Sequence, residues 1–255
     1  MKKKFDAIIF DMDGVLVDES RSYRLAIEMT VNNFLEKKGI KTKITQEEVK
    51  IIKDIPQFNN DWDVSFVLID LIQIGISKKD FFSKARPVKT DVRQSKLYLT
   101  VKDIFQSYYL GEKLFKEIYN RPSPIYYARG LNLNDSLLID KVLLTALASK
   151  YKLGIATSRP RLEALFTARN LKITLQFIKE DFIVAKEDAV REKPEPDPLL
   201  EAKKRMGVST PIYIGDTIND VIAAQKAGMP CIFIGDKILG DFQFTNVNQI
   251  QEIFL

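Results

Sequence analysis

A short apolar run near the start of the chain, Ala7–Phe10, most constrains how this sequence can fold. The run has no polar alternation, which is typical of a strand buried on both faces, as in a parallel sheet covered by helices. Asp11 follows directly, Asp13 comes two residues later, and Gly14 allows a tight turn. Because ligands bind at the carboxyl ends of strands in open α/β sheets, both carboxylates are candidates for one site. Asp and Gly are also ordinary loop residues after a strand, and this alternative stays open.

The second half of the chain repeats the pattern of short apolar runs separated by helical patterns, whereas residues 18–120 give helical patterns only. Alternating strands and helices predict right-handed βαβ units and a parallel sheet, with the helical stretch inserted after the first strand. We therefore predict an α/β fold in which residues 1–16 and 130–255 form the sheet domain and residues 17–129 form an all-helical domain. The later predicted strands are Leu153–Ala156, Phe182–Ala185, Ile212–Ile214 and Cys231–Ile234. The predicted helices cover residues 18–38, 45–54, 64–74, 78–85, 100–119 and 135–150, followed by helices from Pro160, near Pro198 and over Asn219–Ala227.

The absence of histidine limits the chemistry that this chain can carry out. It excludes Ser-His-Asp and Cys-His catalysis and helical histidine zinc sites, and leaves carboxylates, lysine and hydroxyls, with oxygen ligands that favour Mg²⁺. The single cysteine, Cys231, lies in an apolar run and predicts a buried thiol in a cytoplasmic protein. The net charge of +5 comes from scattered basic residues, so we expect no nucleic-acid partner. No apolar run is long enough for a membrane span.

Polar residues also follow three of the later strands. Thr157 and Ser158 lie just before a helix that Pro160 is expected to begin, where a hydroxyl can bind an anion or simply cap the helix. Lys193 lies among prolines, either as a charge for a phosphate or as a solvated loop residue. Asp216 ends a strand and Asp220 follows four residues later, where an acidic residue can face the same cleft or cap the next helix.

Taken together, these motifs resemble those of the haloacid dehalogenase-like hydrolase superfamily, in the same order and on the same strand ends. The helical insertion resembles the C1-type cap of its phosphoglycolate phosphatase and β-phosphoglucomutase branch. The resemblance implies a Rossmann-like parallel sheet with an inserted helical cap. It covers nearly the whole chain, and one departure is that Ser158 and Arg159 follow Thr157, where the family often has Asn or Gly. The matching residues are Asp11-Met12-Asp13-Gly14-Val15, Thr157, Lys193 and Gly215-Asp216-x-x-x-Asp220.

The resemblance implies a role for each carboxylate. Asp11 is the expected nucleophile, which forms an aspartyl-phosphate, and Asp13 is the expected acid that protonates the leaving oxygen and then accepts a proton from water. Mg²⁺ is expected on Asp11, on the backbone carbonyl of Asp13 and on Asp216. Asp220 is expected to order Lys193 or a metal-bound water.

The resemblance also implies how the phosphoryl group is held. Thr157 and the amides near Gly14 and Ser158 are expected to bind phosphoryl oxygens, and Lys193 to offset charge on the phosphoryl group and on Asp11. Dehalogenases need no acid at position 13, so Asp13 favours phosphoryl transfer. We therefore expect a Mg²⁺-dependent phosphatase acting on a small phosphorylated metabolite. The alternatives are a phosphomutase with the same aspartyl-phosphate chemistry and a non-catalytic anion-binding module.

One polar loop of the predicted cap, around Trp62, is a candidate for substrate selection. Its amides can hydrogen-bond a polar metabolite and its indole can form a flat apolar wall. The alternative is that Asn60 or Asp61 caps the following helix and Trp62 packs beneath it, in which case Arg21 and its neighbours are the next candidates. The candidate substrate residues are Arg21, Gln57, Asn59, Asn60 and Trp62.

Overall fold

A computed structural model describes residues 5–55, 58, 60–236 and 240–255, and it divides the chain into two compact units. One unit, the sheet unit, comprises Met1–Asp18 and Ser136–Leu255, and the other, the helical unit, comprises Glu19–Asp135. The exact domain boundaries given above, after residues 16 and 129, stay a prediction. None of the helices in the described ranges is long and apolar enough to cross a membrane.

The strands and α-helices are numbered here in chain order. The strands are β1 (Ala7–Phe10), β2 (Val17–Asp18), β3 (Ser136–Leu137), β4 (Lys152–Ala156), β5 (Ile183–Val184), β6 (Pro211–Gly215), β7 (Cys231–Ile234) and β8 (Phe242–Phe244). The helices are α1 (Tyr23–Lys37), α2 (Gln46–Lys53), α3 (Asp61–Gln73), α4 (Phe81–Lys84), α5 (Lys96–Tyr119), α6 (Lys141–Lys150), α7 (Arg161–Asn170), α8 (Ile173–Gln176), α9 (Asp197–Met206), α10 (Ile218–Ala227) and α11 (Gln251–Phe254).

The sheet unit is built on a six-stranded parallel sheet in the order β5-β4-β1-β6-β7-β8. Ile8 and Phe10 pack into one apolar cluster with residues of α6 and α7, and Ala7 and Ile9 into another with residues of α9 and α10. Strand β1 is therefore buried on both faces, as its unbroken apolar run predicts. The predicted α/β class with a parallel sheet is confirmed.

The register of β1 determines which loops meet at its end. Phe10 lies opposite Ile155 of β4 and Ile214 of β6. The residues that follow these three strands therefore emerge side by side at one edge of the sheet. This edge carries the motifs that the sequence places at strand ends.

Three elements of the chain differ from the sequence prediction. The helix expected from residue 135 begins only at Lys141, because Ser136–Leu137 pairs antiparallel with Val17–Asp18 in a separate two-stranded sheet. The same pairing delays the first helix, which starts at Tyr23. Strand β8 adds an edge to the main sheet that was not predicted, since three residues are too few to show a periodic pattern.

The helical unit is formed by α1–α5 around its own apolar core, in which α1 packs against α3 and α5. Helix α5 is interrupted at Gly111, where φ is 72°. A Cβ at this position would lie 2.4 Å from the backbone nitrogen of Gly130, so the break lets two backbone segments approach closely. The interruption falls inside the pattern that predicts one continuous helix.

Candidate active site

The loops after β1, β4 and β6 and the loop before α9 meet at the carboxyl edge of the sheet. Asp11 follows β1, and its backbone N–H donates to the carbonyl of Ile214 on β6 at 2.8 Å. Thr157 follows β4 and is buried, with its N–H bonded to the carbonyl of Val184 at 2.9 Å. The sheet itself thus holds the backbone of Asp11 against β6 and that of Thr157 against β5.

Gly14 brings the turn after β1 against Asp216. Its φ is 72°, and its N–H donates to the carbonyl of Val17 at 2.9 Å, which closes the turn. A Cβ built on Gly14 would lie 2.0 Å from Oδ2 of Asp216. Only glycine supplies both the left-handed backbone and the space for that carboxylate.

Lys193 connects two carboxylates in the interior of the site. Its Nζ lies 2.9 Å from Oδ1 of Asp11 and 2.7 Å from Oδ1 of Asp220, and only 8% of the residue is exposed. A solvated loop lysine, the alternative drawn from the sequence, does not describe this buried position. The predicted neighbourhood of Asp11, Lys193 and Asp220 is present in the structure.

Tyr213, on β6, takes part in the same network and was not among the residues predicted from the sequence. Its hydroxyl lies 2.7 Å from Oδ1 of Asp220 and 3.0 Å from Nζ of Lys193. The available signal was a hydroxyl in the middle of an otherwise apolar strand. A buried phenol needs a hydrogen-bond partner, and the strand end offers one.

Asp220 has two roles. Its Oδ2 accepts hydrogen bonds from the N–H of Thr217 at 3.0 Å and from the hydroxyl of Thr217 at 2.6 Å, which closes the N-terminus of α10 in a capping box. Its Oδ1 accepts from Lys193 and Tyr213. Asp220 therefore both caps α10 and contacts Lys193 in the interior of the sheet unit.

Burial and charge shift the pKa values of these groups in opposite directions. Burial raises the pKa of Asp11 to about 7, although Lys193 lowers it, and the negative charges of Asp220 and Asp13 raise it further. Burial alone would lower the pKa of Lys193, but the carboxylates of Asp11 and Asp220 outweigh it and raise that pKa. Likewise, burial would raise the pKa of Asp220, but Lys193 outweighs it and lowers that pKa. Lys193 thus stays a cation, while Asp11 carries an incompletely compensated charge.

The remaining carboxylate oxygens fit a hard cation. Asp11, Asp216 and Asp220 each have a carboxylate oxygen within 4.8 Å of the others. Both oxygens of Asp220 already accept hydrogen bonds, so Asp11 and Asp216 are the side chains suited to ligate an ion. An all-oxygen donor set is the kind that Mg²⁺ prefers. The side chain of Asp13 lies outside this group of three, and a contribution of its backbone carbonyl stays a prediction.

Asp13 is instead paired with Arg159. Nε of Arg159 lies 3.0 Å and 2.9 Å from the two carboxylate oxygens of Asp13, and Nη2 lies 2.5 Å from Oδ1. Arg159 is 3% exposed, whereas the Asp13 side chain is 30% exposed. Asp13 can thus reach a bound molecule while its orientation is fixed from the protein side. The sequence pointed to Arg159 only as a departure from the family pattern.

The helix start beside Thr157 differs from the prediction by one residue. Pro160 is the N-cap, and α7 begins at Arg161, so Ser158 is not the cap of this helix. The N–H of Arg161 donates to Oε2 of Glu187 at 2.7 Å. The hydroxyl oxygen of Thr157 accepts the N–H of Arg159 at 3.1 Å, which leaves the hydroxyl hydrogen to donate elsewhere. Ser158 lies half-buried in the same loop.

Two of the candidate substrate residues of the helical unit, Asn60 and Trp62, have structural roles. Oδ1 of Asn60 accepts the N–H groups of Trp62 and Asp63 and so caps α3, as the alternative interpretation has it. Trp62 packs against the apolar core of this unit, with Nζ of Lys102 3.9 Å from the centre of its ring. Arg21 is exposed. Gln57 and Asn59 lie outside the described residues, and a part in substrate selection stays a prediction for all of these residues.

Comparisons with known proteins identify the family of the chain and agree on its fold. The family model described as "haloacid dehalogenase-like hydrolase" matches residues 5–228. The phosphoglycolate phosphatase of Escherichia coli (strain K12) is 26% identical over 236 residues, which cover 88% of this chain and 79% of that protein. A protein named imidazoleglycerol-phosphate dehydratase from Phytophthora nicotianae is 30% identical over 235 residues, or 89% of this chain. The match spans only 43% of the Phytophthora protein.

Solved structures match over almost the whole chain. Phosphatase Tt82 from Thermococcus thioreducens has a TM-score of 0.72 and 26% sequence identity, with 96% of this chain and 97% of that chain covered. A β-phosphoglucomutase from Clostridium difficile has a TM-score of 0.61 at 18% identity, with 98% and 97% covered, and shares the fold.

Proposed function

Because the chain belongs to the haloacid dehalogenase-like hydrolase family, we propose that it is a Mg²⁺-dependent phosphatase that hydrolyses a small phosphomonoester through an aspartyl-phosphate. The observation that carries the proposal is the buried group of Asp11, Lys193 and Asp220, with Asp216 beside it, at the carboxyl edge of the sheet. The phosphatases among its relatives support the reaction class. Phosphoglycolate is the first substrate to test, since several relatives carry that name.

In the first step of the proposed mechanism, a carboxylate oxygen of Asp11 attacks phosphorus while the bond to the leaving oxygen breaks. Asp13 supplies the proton that the leaving oxygen takes up. Lys193 and the hydroxyl of Thr157 stabilise negative charge on the phosphoryl oxygens, together with the amides near Gly14 and Ser158.

In the second step, water attacks the phosphorus of the aspartyl-phosphate, and Asp13, now a carboxylate, accepts its proton. The bond between Asp11 and phosphorus breaks, and inorganic phosphate leaves. Asp11, Asp216 and the backbone carbonyl of Asp13 would hold Mg²⁺, which when bound neutralises charge between the Asp11 carboxylate and the anionic substrate.

A phosphate-release screen of the purified protein with Mg²⁺ against phosphorylated metabolites tests the proposal. We expect release from at least one small phosphomonoester, and Asp11→Asn should reduce it more than a hundredfold. The matched control is Asp181→Asn, because Asp181 is exposed on the same unit and should leave the rate unchanged. Retention of more than a hundredth of the activity by Asp11→Asn would contradict the nucleophile assignment. Bisphosphate-dependent isomerisation without phosphate release would instead select the phosphomutase alternative.

The metal assignment has its own test. Asp216→Ala removes one of the two side chains suited to ligate Mg²⁺, so we expect the Mg²⁺ concentration for half-maximal activity to rise at least tenfold. Titrating Mg²⁺ at saturating substrate measures this value directly. Full wild-type activity in excess chelator would contradict the requirement for a metal.

A further inference from the structure

Arg159 is a buried cation that the proposed mechanism does not yet use. Its guanidinium contacts both oxygens of Asp13, and Nη1 also donates to the hydroxyl of Thr167 on α7 at 2.6 Å. Thr167 is 1% exposed and Arg159 3%, so the contact lies in the interior of the sheet unit. An arginine fork that meets a carboxylate with two nitrogens fixes orientation as well as charge.

The backbone of Arg159 is also fixed. Its N–H donates to the hydroxyl of Thr157 at 3.1 Å, and its carbonyl accepts the N–H of Lys186 at 3.0 Å. The backbone of Arg159 is therefore fixed by Thr157 and Lys186, and its guanidinium is fixed by Thr167 on α7. The same guanidinium holds the Asp13 carboxylate. A carboxylate held in this way loses little freedom when it exchanges a proton with a bound group.

Lys193 cannot perform this task for Asp13. Its ammonium bridges Asp11 and Asp220, so each of the two carboxylates of the Asp11-Met12-Asp13 motif has a different cation. This division separates the nucleophile from the acid. Asp11 faces a lysine point charge, and Asp13 faces a planar fork.

We propose that Arg159 is a positioning residue that orients the Asp13 carboxyl group for proton transfer to the leaving oxygen. The inference rests on the proposed phosphatase function. When Asp13 gives its O–H proton to the leaving oxygen, the electron pair of the breaking P–O bond takes that proton. The Asp13 carboxylate that remains is held by the same Arg159 guanidinium. In the second step this carboxylate takes a proton from the attacking water, which restores the acid.

The leaving group distinguishes this role from a merely structural one. An alkyl phosphate releases a strongly basic alkoxide and needs the proton, whereas p-nitrophenyl phosphate releases a weakly basic phenolate and needs it little. The quantity to compare is kcat/KM, because it reports the steps up to the first irreversible one and so leaves out hydrolysis of the aspartyl-phosphate. Loss of an acid's orientation should therefore reduce kcat/KM selectively for alkyl phosphates.

The experiment measures kcat/KM of the full chain with Mg²⁺ on p-nitrophenyl phosphate and on the best alkyl phosphate of the release screen. For Arg159→Met we expect a loss of at least about tenfold on the alkyl phosphate and less than about threefold on p-nitrophenyl phosphate. Arg159→Lys, which keeps the charge but not the fork, should recover part of the alkyl activity. The matched control is Arg161→Met, because Arg161 begins the same helix but pairs with Asp188 at 2.6 Å. It should change both substrates equally or not at all.

Thr167→Val provides a second variant in case Arg159→Met does not fold. It removes only the hydroxyl that Nη1 contacts, so we expect a smaller loss with the same preference for the alkyl phosphate. Its effect should not add to that of Arg159→Met, since both act through one guanidinium.

Equal losses on both substrates in Arg159→Met and Thr167→Val would overturn the inference and show the arginine to be structural. A rise in KM for both substrates at unchanged kcat would also overturn it, because Arg159 would then bind the phosphoryl group itself. If the wild-type protein releases phosphate from no substrate, the proposed function fails and the inference fails with it. If the wild type releases phosphate but the variants lose kcat/KM equally on both substrates, only the role of Arg159 is refuted.

Discussion

Asp11 should lower the stability of the metal-free protein, and Asp11→Asn should therefore raise the free energy of unfolding. Burial raises the pKa of Asp11 from its ordinary value of 3.8 to about 7. The charged groups that act on Asp11 are the ammonium of Lys193, which lowers its pKa, and the carboxylates of Asp220 and Asp13, which raise it. Asparagine can still accept a hydrogen bond from Lys193, and it removes one of three negative charges.

The magnitude and its sign follow from the two pKa values. Each pH unit of difference corresponds to about 1.36 kcal/mol, so the difference of about three units gives an upper bound of about 4 kcal/mol above pH 7. Because the pKa is higher in the folded state, the folded protein binds the extra proton between about pH 4 and pH 7. Wild-type stability therefore falls as the pH rises through this window. We expect Asp11→Asn to be about 1–3 kcal/mol more stable at pH 8, with the gap at least halved at pH 5.

Urea unfolding in EDTA at both pH values measures the gap. The matched control is Asp188→Asn, since Asp188 is partly buried between Arg161 at 2.6 Å and Arg205 at 3.1 Å. Burial would raise the pKa of Asp188, but the hydrogen bonds from the N–H of Ala185 and from the two arginines outweigh it and lower that pKa. This variant should be less stable than the wild type at pH 8. Equal or lower stability of Asp11→Asn at pH 8, or a gain that does not change with pH, would refute the reasoning.

Three further substitutions test other contacts. Gly14→Ala should lower Mg²⁺ affinity at least tenfold, because the added Cβ would displace the Asp216 carboxylate. The left-handed backbone should cost a further 1–2 kcal/mol of stability, roughly. Unchanged Mg²⁺ titration curves would contradict the effect on Asp216. Asn60→Ala should cost about 1 kcal/mol of stability, measured as a lower Tm, because the cap of α3 is lost. It should reduce kcat/KM equally on p-nitrophenyl phosphate and on the natural substrate, and a tenfold loss on the natural substrate alone would show that Asn60 selects substrate. Tyr213→Phe removes the hydroxyl that donates to Asp220 and accepts from Lys193, so kcat should fall about three- to tenfold with KM unchanged. A higher KM would place the phenol in substrate binding.

Much of the sheet unit could be predicted because its strands are buried on both faces and show it as unbroken apolar runs. Cys231–Ile234 forms a strand with the predicted bounds, and the runs at Ala7 and Ile212 form the two paired strands β1 and β6. The two-residue strands β2 and β3 could not be predicted, because each pairs with a partner more than a hundred residues away. The break at Gly111 was hidden for a similar reason, since the Gly130 backbone that requires it is distant in sequence.

The grouping of the site residues could be predicted only in part. Strand-end positions place Asp11, Thr157 and Asp216 at one edge, as parallel topology requires. The sequence could not show that Arg159 faces Asp13, because the direction of a loop side chain depends on its tertiary neighbours. The sequence also could not separate the two roles of Asp220, because one carboxylate oxygen accepts from Thr217 at the start of α10 and the other accepts from Lys193.

The position of β1 at the centre of the sheet also determines when the site can form during synthesis. Both neighbours of β1 are encoded far downstream: β4 begins at Lys152 and β6 at Pro211. The segment that carries Asp11 and Asp13 leaves the ribosome before β4 and β6 do, so β1 has no strand partner until they have been made. The helical residues between them have their own core and can fold during this interval. The four apolar residues of β1 are buried in the folded protein, but they are exposed and unpaired in the growing chain until β4 and β6 have been made. An exposed, unpaired apolar strand is a target for chaperones and for aggregation.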